Sequence, residues 1–266
     1  MRRRFTVPAF TAVLALVALT PNLGLAQPLP EPPVGLKPLP PPPPPPIKPY
    51  TPVPITLPAA LNDPSFIDFR KKLGDVAQQK DRAALAKLVV TTGFFWLQDK
   101  DLADPSKSGI DNLAKALDLD SQNENGWETL AEAAAEPTAA EPPQHKGIFC
   151  APAPPGFDAQ AFINLLQKTD TDGSEWVFPV DNGVEVRAAA KPDGQVIDKM
   201  GLYFLRVLPD SAPPDNPGVP AFLHVALPNG KTGYVAATAI APLATDQICY
   251  TKDASGWKIA GFVGGS

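Results

Sequence analysis

The chain has 266 residues, a formal net charge of −5, 35 prolines and 8% aromatic residues. That length allows one or two domains, and so much proline means that part of the chain lies outside any core. An acidic chain lacks the concentrated positive surface that phosphates require, which argues against nucleic acid and anionic membrane as partners.

Arg2, Arg3 and Arg4 form a basic start, residues 9–19 an apolar run, and Gly24-Leu25-Ala26 before Gln27 a small-residue cleavage site. This is the pattern of a signal peptide over residues 1–26 and predicts an exported chain, periplasmic or secreted. The apolar run falls well short of the ~20 residues that cross a bilayer, so no membrane span is expected after cleavage; an uncleaved anchor is the alternative. Without the signal, 20 basic side chains face 28 acidic ones, a net charge of −8. Cys150 and Cys249 are the only cysteines. In an oxidising compartment they are expected to pair, closing a loop of roughly 100 residues and stabilising by about 4 to 5 kcal/mol; two buried thiols are the other possibility.

Half of the residues from Gln27 to Pro58 are proline, with an unbroken run from Pro40 to Pro46. Proline fixes φ and has no amide donor, so the segment reads as a disordered polyproline II stretch. It could be a spacer, a docking strip or a passive tail.

Residues 59–149 read as a helical domain. Asp63-Pro64 is an N-cap followed by proline at the first helical position, and Phe66, Phe69, Leu73 and Val76 share one face. Asp81 caps a second helix carrying Leu85, Leu88 and Val89, expected to end near Gly93. "FFWL" (94–97) is a strand or a core loop. Ser108 to Asp111 is a capping-box pattern opening a third helix with Ile110, Leu113 and Leu117 inward, and Trp127, Leu130, Ala131 and Ala134 form a fourth, stopped before Pro137. Residues 150–175 connect, with a short helix capped by Asp158 and running through Ile163 and Leu166. From Trp176 the period changes to two, and short runs separated by Asp, Asn, Gly and Pro predict a compact all-β barrel over 176–246 and a closing β-hairpin over 247–266. The fold class expected is α+β.

Gly230-Lys231-Thr232 resembles the end of a phosphate-binding loop. That loop needs a glycine at 225, which is valine here, and a helix to follow. Asn229-Gly230 between two strand runs instead signals a hairpin turn of type I′. "KTDTDGSEW" (168–176) places Lys168 in the first calcium-ligand position and Pro179 in the last, so no metal site is expected. There is no Gly-x-Ser-x-Gly or His-Glu-x-x-His, and the histidines are His145, in a proline-rich loop, and His224, on the outward face of a strand. A cysteine hydrolase would need Cys150 or Cys249 as a free thiolate. The reading is therefore non-enzymatic, without a cofactor. A hydrolase with a site between the domains is the remote alternative.

"VEVRAAAKPDGQVIDKMG" (184–201) and "FLHVALPNGKTGYVAATAI" (222–240) resemble the bacterial SH3 (SH3b) domain. Val186, Arg187, Gly201, Gly230, Gly233, Tyr234 and Val235 fall on its pattern over residues 180–244. Glu185 stands where many members have Asn, Phe222 where Trp is common, and the insert Pro209–Pro220 is longer than usual. The layout as a whole resembles exported SH3-domain-containing proteins: a Trp127-to-Leu130 helix, a Cys150-to-Pro152 segment, the SH3 unit and a terminal "GWKIAGFVGG". The resemblance implies an SH3-like barrel that binds peptidoglycan or an envelope protein, or that acts as scaffold or accessory to a wall-processing enzyme. It assigns Tyr203, Tyr234 and Phe222 to a ligand groove and Arg187 to an acidic group, with barrel packing as the alternative role for Tyr234 and loop closure for Arg187. Trp176 and Trp257 are expected to pack in the core.

Overall fold

The computed structural model describes residues 47–98, 100–123, 125–142, 145–209 and 221–265. The expected signal peptide over residues 1–26, residues 27–46 and most of the Pro209–Pro220 insert lie outside them.

Residues 47–57 are extended, as their prolines dictate, but they are docked. The prolines alternate with residues that keep their amides, and these bond outward. The Tyr50 amide donates to the Pro228 carbonyl at 3.0 Å, the Ile55 amide to Leu202 at 3.0 Å, and the Phe204 amide to Val53 at 3.3 Å. The Tyr50 hydroxyl donates to the Ala226 carbonyl at 3.0 Å, and its ring meets Trp176 edge-on at 5.1 Å. Strand β1 (Ile55–Thr56) pairs antiparallel with Gly156–Phe157, and Val53 and Ile55 are buried. The end of the proline-rich segment is thus a strap built into the fold, unlike the solvated stretch expected there.

Helix α1 (Pro64–Gln79) starts where Asp63 accepts from the Ser65 amide, with Pro64 in the first turn. Phe66, Phe69, Leu73 and Val76 are buried, as their spacing requires. Helix α2 (Arg82–Ala86) is capped by Asp81 but stops well before Gly93. The chain turns at Lys87 and Leu88, and Val89 then bridges Ile259: the Ile259 amide donates to the Leu88 carbonyl at 2.7 Å and the Val90 amide to the Ile259 carbonyl at 2.9 Å. The β-branched Val89 and Val90 favour this pairing over another helical turn. "FFWL" supplies strand β2 (Phe95–Leu97). Helix α3 (Gly109–Ala116) is capped by Ser108, and α4 (Asn125–Ala135) ends just before Pro137. Strand β3 (Ile148–Ala151), β4 (Gly156–Phe157) and helix α5 (Ala159–Thr169) follow, the last capped by Asp158. Its buried residues are Phe162 and Leu165, while Ile163 is exposed.

Seven antiparallel strands come next: β5 (Trp176–Pro179), β6 (Val184–Arg187), β7 (Val196–Met200), β8 (Leu205–Val207), β9 (Phe222–Ala226), β10 (Thr232–Ala236) and β11 (Ile240–Pro242). Their order is β11-β5-β8-β9-β10-β6-β7. Val177, Val186, Met200, Leu205, Val225, Val235 and Ile240, one from each strand, form a single buried cluster, so the sheet curls around its own core. Trp176 and Phe178 point the other way and are covered by the strap and by Phe162 and Leu165 of α5.

The chain closes with β12 (Gln247–Asp253) and β13 (Gly256–Val263), the centre of a four-stranded sheet β2-β13-β12-β3. Ile248, Tyr250, Trp257, Ile259 and Phe262 enter the same core as the faces of α1 to α4. Cys249 lies opposite Cys150 across β12 and β3, with Cα atoms 4.0 Å apart, and the two form a disulfide. The fold is α+β. No helix among the described residues is long and apolar enough to cross a membrane.

Two outcomes follow. Removing the Tyr50 ring from the strap (Tyr50→Ala) should destabilise the protein by about 3 kcal/mol, and Tyr50→Phe by about 1 kcal/mol, in urea denaturation. A passive tail would give no change in either. Asp63 carries the second: hydrogen bonds from Lys252 and Ser65 hold its carboxyl down to about 2 from its ordinary 3.8. A folded value below the unfolded one means this stabilisation is complete above the ordinary value and disappears as pH falls toward 2. Acid unfolding curves of Asp63→Asn should therefore be flatter than wild type across that window.

Candidate ligand-binding face

The Gly-Lys-Thr of the sequence lies in the β9–β10 hairpin, between strands, with no helix to follow. The Gly230 amide donates to the Leu227 carbonyl at 2.9 Å and the Leu227 amide to Lys231 at 2.8 Å. Gly230 has φ +82°, whereas Asn229 is not left-handed. The loop is therefore a three-residue one, a type I turn over Pro228-Asn229 followed by a glycine bulge, and not the type I′ turn expected. Pro228 accounts for the difference, because its fixed φ suits the first central position of a type I turn. Asn229 Oδ1 accepts from the Lys231 amide at 2.9 Å and completes the bend.

This hairpin sets the register of the outer face. Tyr234 lies opposite His224 on one side and Arg187 on the other. Alternation sends Leu223, Val225 and Val235 to the core cluster and leaves Phe222, His224, Tyr234 and Arg187 on the outer side of β9, β10 and β6. The rings of His224 and Tyr234 stack with centroids 4.8 Å apart and planes 16° from parallel. Gly233 faces inward, where a Cβ would come within 2.4 Å of Val186 Cγ1, so the bare backbone allows β10 to close on β6.

Arg187 is held from two sides. Its guanidinium donates to the Gly194 carbonyl at 2.8 Å and pairs with Glu185 on the same strand. It pins the turn between β6 and β7, the loop-closing role open to it from the sequence. It also lines a shallow groove of about 310 Å³ with Asp181, Asn182, Glu185 and Ala236. Side-chain exposures of 22% for Arg187 and 41% for Glu185 leave both within reach of a ligand at the groove mouth.

The face therefore brings together Tyr234, Arg187 and Phe222. Tyr203 is elsewhere. It follows β7, packs against the inner core, and its backbone bridges Pro54 of the strap. Burial raises its hydroxyl pKa above the ordinary value. The strap occupies the sheet there, which no local pattern in the sequence announces. His224 received no role from sequence; its outward alternation was legible, its stack on Tyr234 needed the register. Trp176 and Trp257 pack as expected, with indole N–H groups donating to Thr171 and Ser65 at 2.9 and 3.0 Å.

Both sulfurs are in the disulfide, so neither cysteine is a thiolate nucleophile here. Among the described residues, no group of three or more His, Cys, Asp or Glu side chains is placed to hold a metal ion. No protein-family model, curated protein or solved structure matches the chain.

The two ends of this face differ in what they do for the fold. Arg187→Ala should cost about 1 to 2 kcal/mol in urea denaturation by freeing the β6–β7 turn, while Tyr234→Ala, at the solvent side of its stack, should cost less than about 1 kcal/mol.

Proposed function

We propose that this chain is an exported, non-enzymatic binding protein that recognises peptidoglycan or an envelope protein through the outer face of an SH3b-like sheet. The observation that carries the reading is the half-exposed His224–Tyr234 stack with Arg187 in register beside it. Flat ring faces suit the apolar faces of sugars and of extended peptides, and a partly paired arginine suits a carboxylate. Rigid strands hold these groups without an ordering cost on binding. Export, to the periplasm or beyond the cell, is supported by the signal-peptide pattern and by the disulfide, which persists in oxidising compartments.

The test is co-sedimentation with purified sacculi. The wild-type chain should pellet with them, and Tyr234→Ala should weaken retention by about tenfold or more while the melting temperature stays near wild type. Retention that is indifferent to Tyr234 would remove this face as the wall-binding surface. Failure to pellet at all would leave an envelope protein, sought by crosslinking from position 234, as the partner.

A further inference from the structure

A second surface lies away from the Tyr234 face, where the helices and the C-terminal sheet meet the seven-stranded sheet. Two adjoining cavities open there. One, of about 370 Å³, is walled by Thr129, Glu132, Glu136 and Asp246 over a floor of Ile248 and Phe262. The other, of about 360 Å³, is lined by Pro152, Pro154, Phe178, Pro242, Leu243 and Val263. They share Glu136, Pro152 and Thr245, so they form one groove with an acidic end and an apolar end. Every charged side chain lining it is a carboxylate.

The carboxylates come from two directions. Thr129, Glu132 and Glu136 form one stripe at the end of α4, the Glu136 amide still donating to the Glu132 carbonyl. Asp246 comes from the segment before β12. Their oxygens are only partly used. Glu136 Oε1 accepts from the Thr138 amide at 2.8 Å and Asp246 Oδ1 from the Gly265 amide at 2.7 Å. Among the described residues, the second oxygen of each, and both oxygens of Glu132, have no hydrogen-bond partner. The nearby cation, Arg70, does not line the groove; its Nη1 donates to the Ala134, Ala135 and Glu136 carbonyls at the end of α4.

We propose that this groove binds a cationic peptide segment, with a lysine or arginine side chain at the Glu132–Glu136–Asp246 end and an apolar side chain between Pro154, Pro242 and Leu243. Charge complementarity selects the occupant, since an anion would meet three carboxylates and no facing cation. Clefts at the junction of two packed units are common binding places, and the apolar end supplies burial that an exposed ion pair alone does not.

The test is fluorescence anisotropy on the full chain with a labelled Ala-Lys-Ala-Leu-Ala peptide and its lysine-acetylated twin. The amine peptide should bind about tenfold more tightly than the twin at low salt, with the difference shrinking as salt rises. Glu132→Gln with Asp246→Asn, both exposed and isosteric, should weaken the amine peptide about fivefold and leave the twin unchanged. Tyr234→Ala should leave binding intact, which separates this groove from the outer face. Equal affinity for the two peptides, indifference to the double substitution, or no binding of the amine peptide at millimolar concentration would each overturn the proposal.

Discussion

The structure depends on the burial of the C-terminal hairpin against the helices. None of α1 to α4 has enough apolar surface to be stable alone, and their shared face is completed by residues about 190 positions away in sequence, as with Ser65 and Trp257. Phe66 packs on Tyr250 and Trp257 with ring centroids 5.1 and 4.7 Å apart. Strand β13 lies between β12 and β2, and its Ile259 also exchanges backbone hydrogen bonds with Leu88 and Val90. The helical part is thus not a closed unit that precedes the sheets; its core includes the last strands of the chain.

That closure explains the position of the disulfide. Cys150 and Cys249 face each other on neighbouring strands of the small sheet, and everything between them, including α5 and the whole seven-stranded sheet, is an excursion from this one point. A crosslink over a separation of 99 residues removes much freedom from the unfolded chain, about 4 to 5 kcal/mol by loop-closure entropy. It also fixes where the curled sheet leaves and rejoins the helical body, which brings Pro152 and Thr245 into the same groove.

The strap distributes the surfaces of that sheet. Tyr50, Val53 and Ile55 join α5 in covering Trp176, Phe178 and Phe204, so one side of the sheet is interior. At the β9–β10 turn, Ile47 and Pro49 of the strap approach Gly230. Among the described residues, Phe222, His224, Tyr234 and Arg187 stay partly exposed on β9, β10 and β6. Tyr203 is bridged by Pro54 of the strap, whereas Tyr234 lies between His224 and Arg187, so the two tyrosines expected in one groove have different neighbours.

The sequence by itself determined whatever is settled among neighbouring residues: the caps Asp63, Asp81, Ser108 and Asp158, the buried face of α1, the change to strand alternation after Trp176, the outward direction of His224 and the turn in place of a phosphate loop. With only two cysteines, it also left a single pairing possible. These features rest on hydrogen bonds within a turn or on a periodicity of a few residues, and such information is local. Tertiary structure alone decided that α2 stops at Ala86, that the strap is docked, and which predicted site residues share a face. Each of these is a competition between a local preference and a partner far along the chain, as when Ile259 takes the backbone of Leu88 and Val90 into a sheet, and only the folded chain brings the competitors together.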